Sequence, residues 1–365
     1  MTSPVPGPTP SPHHGSTGAA SGQSYPAPSM PPVAYGPPSM APTQPAQPAQ
    51  PAPASFAAPT GEGWSGRSLT TSEKSTQEAL LALKSEIGKA VVGQDAAVTG
   101  LIVSLVAGGH TLLEGIQFTP DLMPADITGS MIWDAGRSEF VFRPGPVFTN
   151  LLLADEINRT PPKTQSALLE AMEEHTVSID GATRALPEPF MVIATQNPVE
   201  YEGTYPLPEA QLDRFLLKLE LPLPSREAEI DIIARHQAGF NPRSLTEAGI
   251  RPVAGAADIH AAREAASRIE VAPAVMAYLV DVCRATRTSP AVRLGVSPRG
   301  ATSLLRTARV WAFLQGRGFV TPDDVKTMAP STLAHRLGLR AEANLEGITA
   351  VNVISGVLAA TPVPR

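Results

Sequence analysis

Apolar residues return at helical spacing over 76–90, where Leu80, Leu81, Leu83 and Ile87 share one side, and again over 95–107 through Ala97, Leu101, Ile102 and Leu105. Val91-Val92-Gly93-Gln94 separates the two stretches. Short apolar runs then read as buried strands: Leu151-Leu152-Leu153-Ala154, Phe190-Met191-Val192-Ile193-Ala194-Thr195 and 216–221. The Gly-bounded stretch 108–115, carrying Leu112 and Leu113, is a fourth. Loose alternation over 131–142 and the Asp180-Gly181 turn inside 176–186 predict two hairpins. Thr160-Pro161 predicts a cap followed by proline at the first helical position, opening a helix with Ala167, Leu168, Ala171 and Met172 on one face. From Ser225 onward the pattern is helical only, at 226–237, 257–268, 273–286, 298–314 and 322–329, with Ser297-Pro298 and Thr321-Pro322 as start signals.

Strands alternating with helices, then helices alone, predict an α/β core with a parallel sheet over 71–221 and an all-α domain over 222–346. The segment 347–365 is apolar from Gly347 to Leu358 and is placed to close onto a neighbour. Residues 1–70 are rich in Pro, Ala, Ser, Gln and Gly, with the repeat Pro45-Ala-Gln-Pro48-Ala-Gln-Pro51. Such a segment cannot bury enough apolar surface to offset its ordering entropy, so a disordered tail with polyproline-II character is expected.

The chemistry is concentrated where apolar runs end in polar groups. Ligands of open α/β sheets bind outside the carboxyl ends of the strands. Asp155 and Glu156 follow directly on Leu151-Leu152-Leu153-Ala154, and Asn197 follows the run that ends at Thr195. One acid there can hold Mg²⁺ while a second acts on an attacking water. A solvated acidic turn, and an Asn favoured before Pro198, are the plain alternatives.

Composition narrows the classes. The net charge of −6 and the lack of a basic stripe argue against a nucleic-acid motor or a membrane-surface protein. No apolar run is long enough to span a bilayer, and Met1-Thr-Ser-Pro4 shows no secretory pattern, so a cytoplasmic protein is expected. The single cysteine, Cys283, excludes an internal disulfide and, among Val280, Val282 and Ala285, reads as buried and inert. His13 and His14 have no partner ligands at metal-binding spacing.

Over about 76–337 the chain resembles the MoxR-type AAA+ ATPases. The residues that carry the resemblance are Val92-Gly93-Gln94, the stretch 117–124, Leu153-Ala154-Asp155-Glu156-Ile157-Asn158-Arg159, Ala194-Thr195-Gln196-Asn197-Pro198, the run 202–215, and Ser297-Pro298-Arg299. The resemblance implies an AAA+ P-loop NTPase-like core with a C-terminal helical lid. It implies ATP and Mg²⁺ as ligands, with Asp155 as the Mg²⁺-holding acid of Walker B and Glu156 as the residue that polarises water. Asn197 matches sensor 1, Arg214 the arginine finger that reaches a neighbour's γ-phosphate, and Arg299 sensor 2. Val92 and Gly93 match the adenine-packing positions. A surface ion pair with Asp213 or Glu209 is the alternative for Arg214. The implied assembly is a homo-oligomeric, hexameric ring acting as a chaperone-like remodelling or maturation factor, with von Willebrand factor A-type proteins among its clients.

One departure changes this picture. No Gly-Lys-Ser or Gly-Lys-Thr occurs in the chain, and Gly115 runs straight into Ile116-Gln117-Phe118. The phosphate loop and the helix after it are missing, and with them the Lys, the amide cradle and the Ser/Thr that shares Mg²⁺. Two parallel strands need a crossover of a dozen residues or more. The stretch 110–118 is therefore expected to be one strand or an irregular connection, and the sheet to be a strand short with an exposed edge or apolar helix surface. Two roles follow: an ATP-hydrolysing remodelling factor, or a catalytically impaired structural and regulatory subunit that still offers Arg214 to a competent neighbour.

Overall fold

The structure, a computed structural model, describes residues 66–114, 124–196, 204–241, 244, 246 and 249–364. The first helix, α1 (Thr71–Gly88), starts at a capping box in which Thr70 Oγ1 accepts from Glu73 N–H and Glu73 accepts from Thr70 N–H. Arg67 grips the same carboxylate at 2.9 and 3.0 Å, and these bonds hold the Glu73 carboxyl down to about 2. Leu69, placed in the tail by the sequence pattern, is buried in the core. The rest of the tail, 1–65, lies outside the described residues.

After α2 (Asp95–Val106) the chain enters β1 (Thr111–Glu114). A short α3 (Pro124–Thr128) leads to a hairpin of β2 (Gly129–Asp134) and β3 (Glu139–Pro144). Its Trp133 and Phe140 stand exposed in edge-to-face contact. Then follow β4 (Leu151–Ala154), α4 (Pro162–Glu174), the hairpin β5 (Thr176–Ile179) and β6 (Ala182–Ala185), β7 (Met191–Gln196), the one-turn α5 (Glu209–Leu212) and β8 (Leu217–Glu220). The β5–β6 turn is made by Asp180 and Gly181, both at positive φ, as the Asp-Gly pair predicts. Pro161, not Thr160, is the N-cap of α4, and the Thr160 hydroxyl donates to Ile157 O instead.

Among the described residues the parallel sheet has four strands in the order β4-β7-β1-β8. One face is packed against α4 through Leu112, Val192, Ala194, Leu168, Leu169 and Phe215. The other face is covered at the β8 end, where Leu217 and Leu219 meet α2. At the β4 end it is open among the described residues. The four-residue apolar run that predicts a strand buried on both faces is an edge strand, with Leu151 54% and Leu153 63% exposed. Of the stretch 110–118, expected to be one strand or an irregular connection, only the part up to Glu114 lies within the described residues. β4 carries no charge, proline or bulge, the devices that blunt sheet edges. Leu153→Lys is therefore expected to lower self-association without loss of helicity. Light scattering against concentration checks this, and equal scattering of the two chains would reject it.

The lid comprises α6 (Arg226–Gln237), α7 (Ala256–Ser267), α8 (Pro273–Thr288), β9 (Val292–Leu294), α9 (Pro298–Leu314), α10 (Pro322–Leu333), β10 (Gly338–Leu339), α11 (Ala341–Leu345) and α12 (Ala350–Ala360). Capped starts at Ser297 and Thr321 fall where the sequence places them. One continuous cluster joins α1, α2 and β8 to α7–α10, so the lid is packed on the core through an apolar seam. The last apolar segment does not wait for a neighbour: Val353, Ile354 and Val357 of α12 are buried in that cluster beside α8 and α10. Cys283 is buried and its thiol is pushed up to about 11, which keeps it inert. No described helix is long and apolar enough to cross a membrane.

Candidate functional site

The strands of the sheet are parallel, so their carboxyl ends share one edge and their amino ends the other. The sequence-derived site residues divide between these edges. Asp155 and Glu156 follow β4 at the carboxyl edge. Thr195, near the end of β7, ties them together: its hydroxyl donates to Asp155 Oδ1 at 2.5 Å and accepts from the Glu156 N–H at 2.8 Å. Sequence reasoning passed over Thr195 as part of a motif, although a hydroxyl one strand away from an acidic junction was the signal.

Glu156 has φ 51° and ψ 52°, left-handed backbone that a residue with a Cβ adopts at a cost of about 1–2 kcal/mol. Its side chain is 1% exposed, and Oε2 lies 3.2 Å from Arg159 Nε. Gln165 fixes the loop from below, donating to Ile157 O at 3.1 Å and to Tyr205 O at 2.9 Å. The junction thus pairs one exposed carboxylate, Asp155, with one buried beside Arg159, Glu156. Asn197 lies outside the described residues.

Val92 and Gly93 are also at this edge. Gly93 has φ 74°, and a Cβ there would meet Ala228 Cβ at 3.0 Å, just past the end of β8. Gln94 Nε2 donates to Pro222 O at 2.9 Å in the same place. For ATP and Mg²⁺ the fit is partial. Asp155 and Glu156 suit the metal and the water, but the chain has no Gly-Lys-Ser/Thr to cradle phosphates. Glu114, at the carboxyl end of β1, is an acid paired with Lys218 at 2.8 Å.

Arg214 and Arg299 are at the other edge. Arg214 lies three residues before the start of β8, and Arg299 lies in the first turn of α9. Strands of four residues hold the two edges about 13 Å apart, so these arginines do not converge on Asp155 and Glu156 within one chain. They converge on each other. Arg214 Nη2 lies 3.2 Å from Glu173 Oε2, and Arg299 Nη1 lies 3.2 Å from Glu173 Oε1. Neither acid weighed from sequence holds Arg214: Asp213 pairs with Arg336 at 2.7 Å and Glu209 pairs with Arg293. Glu173 is forty-one positions earlier in the chain, and only the packing of α4 against the segment leading into β8 brings it there. Arg306 and Arg336 line the same cleft, and burial pulls both their pKa values down.

His110 lies under this cleft, 5% exposed. Its Nδ1 accepts from Val192 N–H at 2.9 Å, so Nε2 carries the proton it gives to Met172 O at 2.9 Å. Burial holds the ring down to about 4, and burial holds His335 well below its usual range as well. A folded value below the unfolded value of about 6.5 means that the unfolded chain binds more protons between pH 6.5 and 4. Stability from His110 is therefore full above about 6.5 and is lost as pH falls, at up to about 1.4 kcal/mol per pH unit. Urea midpoints measured from pH 7.5 to 5 should fall accordingly. A flat profile, or an imidazole that titrates near 6.5 by NMR, would refute this.

Comparison with known proteins adds to the geometry. The profile of the ATPase family associated with various cellular activities matches residues 91–217, and the AAA lid domain matches 284–356. The chain is 44% identical to YeaC of Bacillus subtilis, over 76% of this chain and 92% of that one. It is 41% identical to the chaperone MoxR1 of Mycobacterium tuberculosis, over 77% and 81%. It is 34% identical to the protein MoxR of Methylorubrum extorquens, over 72% and 88%. A solved structure from Cytophaga hutchinsonii superposes with a TM-score of 0.73 at 35% identity, covering 80% of this chain and 97% of that chain.

Proposed function

Because the chain belongs to the MoxR family of AAA+ ATPases, we propose that it works in a ring that remodels or matures partner proteins, and that within this ring it supplies the arginines of a composite ATP site. The observation that carries this reading is the division of the site. Asp155 and Glu156 lie at one edge of the sheet, and Arg214 and Arg299 lie together at the other. A head-to-tail ring brings the arginine edge of one subunit to the acidic edge of the next. Two guanidinium groups then meet the γ-phosphate held by the neighbour, where charge develops during phosphoryl transfer. The relative named as a chaperone supports remodelling as the task of the ring. Clients of the von Willebrand factor A type suit that task.

The missing phosphate loop favours a division of labour over self-sufficient catalysis. The chain keeps what is given to a neighbour and lacks what holds its own triphosphate. The test uses a MoxR protein that has a phosphate loop but whose finger arginine has been replaced by alanine. Added to it, this chain should raise ATP turnover at least ten-fold, while its Arg214→Ala variant should not. Co-assembly without any rise in turnover would reject the arginine role.

A further inference from the structure

Glu173 belongs to none of the recognised positions, yet it holds both arginines. It lies in the last turn of α4, followed by Glu174 and by His175 in left-handed conformation at the C-cap. An acid in the last turn opposes the helix dipole, as does a cation in the first turn. Arg299, in the first turn of α9, is thus misplaced in the complementary sense. Two charges that each disfavour their own helix are set against one another across the seam between core and lid, and Arg214 completes the group. Both carboxylate oxygens are used, one per arginine, in the way two oxygens of a phosphoryl group would be. The carboxylate is exposed and open to the cleft, so it can be displaced.

Building on the arginine role proposed above, we infer that Glu173 is a positioning residue, an internal stand-in for the γ-phosphate. It keeps Arg214 and Arg299 side by side and offsets part of their mutual repulsion while no neighbour is docked. A neighbour's triphosphate then displaces it. The exchange needs no rearrangement of either helix, only rotation of the Glu173 side chain.

The test is calorimetric titration of the full chain with tripolyphosphate at low ionic strength. Glu173→Gln, which keeps the shape and removes the charge, should bind at least ten-fold more tightly than the wild-type chain. Glu174→Gln makes the same change in net charge one residue away from the pair and should bind like wild type. Arg214→Ala/Arg299→Ala placed on Glu173→Gln should abolish the gain. Circular dichroism of each variant verifies the fold, and Glu173→Asp, too short to span both arginines, should bind at an intermediate strength. Equal binding by wild type and Glu173→Gln, with binding still lost in the double arginine variant, would overturn the stand-in alone. Binding indifferent to the double arginine variant would remove the phosphate role of the arginines and the stand-in with it. A gain matched by Glu174→Gln would reduce the effect to net charge and also reject it.

Discussion

Arg336→Met is expected to destabilise the protein by a few kcal/mol, about 1–3 kcal/mol for each buried acceptor left without a donor, with the partly exposed Asp213 adding less. Arg336 is 7% exposed. Its Nε donates to Asp213 Oδ1 at 2.7 Å, and its Nη2 donates to Phe215 O at 2.7 Å. Its Nη1 donates to Leu216 O at 3.2 Å and to Thr332 O. Residues 213–216 lead into β8 of the core, whereas Thr332 and Arg336 belong to the lid, so this one guanidinium closes the polar end of the seam. The space is full: a Cβ on Gly300 would meet Arg336 Cδ at 3.1 Å. Methionine fills much of the stem volume but removes the donor to Asp213 and to the Leu216 carbonyl, whose desolvation is then less well compensated, while Phe215 O keeps His335 Nε2 at 3.0 Å. The urea midpoint should fall at unchanged slope. The same change loosens the mount of Arg214, next to Asp213, so phosphate binding at the arginine edge should weaken together with stability. An unmoved midpoint would show that the seam is apolar in its energetics and that Arg336 is incidental.

What the sequence made legible follows local physics. Periodicity placed α2 and the strands within a few residues and the Ser297-Pro298 start signal placed α9, because those signals are local, whereas α1 begins five residues before the apolar pattern, at a Thr70 cap that the pattern did not mark. The MoxR-type core and lid were legible through motifs. What escaped was set by packing between distant segments. An exposed edge or apolar surface was expected from the missing helix after Gly115, but nothing in the Leu151–Ala154 run announced that this strand would be the one left uncovered on one face. The partner of Arg214 was sought among its neighbours in sequence, but Glu173 is forty-one positions earlier and is delivered by the end of α4. Arg336 carried no motif and lies in a short 3₁₀ turn, so its role as the fastener between core and lid was invisible. The strain at Glu156 was equally silent, because no sequence signal marks left-handed backbone at a glutamate. The separation of acids from arginines, on which the functional reading depends, needed the strand directions and not merely the strands.

Grafting a phosphate loop of the Gly-x-x-x-x-Gly-Lys-Thr pattern with a following helix between Gly115 and Ile116 is expected to tighten ATP binding by roughly 100- to 10,000-fold. That range corresponds to two or so hydrogen bonds to charged groups at about 1.5–3 kcal/mol each. The insertion point follows the carboxyl end of β1, where a loop of backbone amides would replace the acid-bearing Glu114 end as the nearest surface to a triphosphate. A helix crossing between parallel strands lies on a sheet face, and the open face here is the one that shows Leu151 and Leu153. The graft should therefore also lower the light scattering attributed to that edge. Within the graft, Glu156→Gln should keep ATP bound and cut turnover by about 10²- to 10⁴-fold, the usual share of a general base. The amide keeps the shape of the side chain and the left-handed backbone while it removes the charge that polarises water. Tight binding with full turnover in Glu156→Gln would take the water-polarising role away from Glu156. Tight ATP binding by the ungrafted chain would mean that Asp155 and the Gly93 loop suffice, and that the phosphate cradle is dispensable in this protein. If the graft restores binding but not turnover until subunits assemble, the separation of Arg214 and Arg299 from the acids is the reason, because one chain alone cannot bring its two edges to the same phosphate.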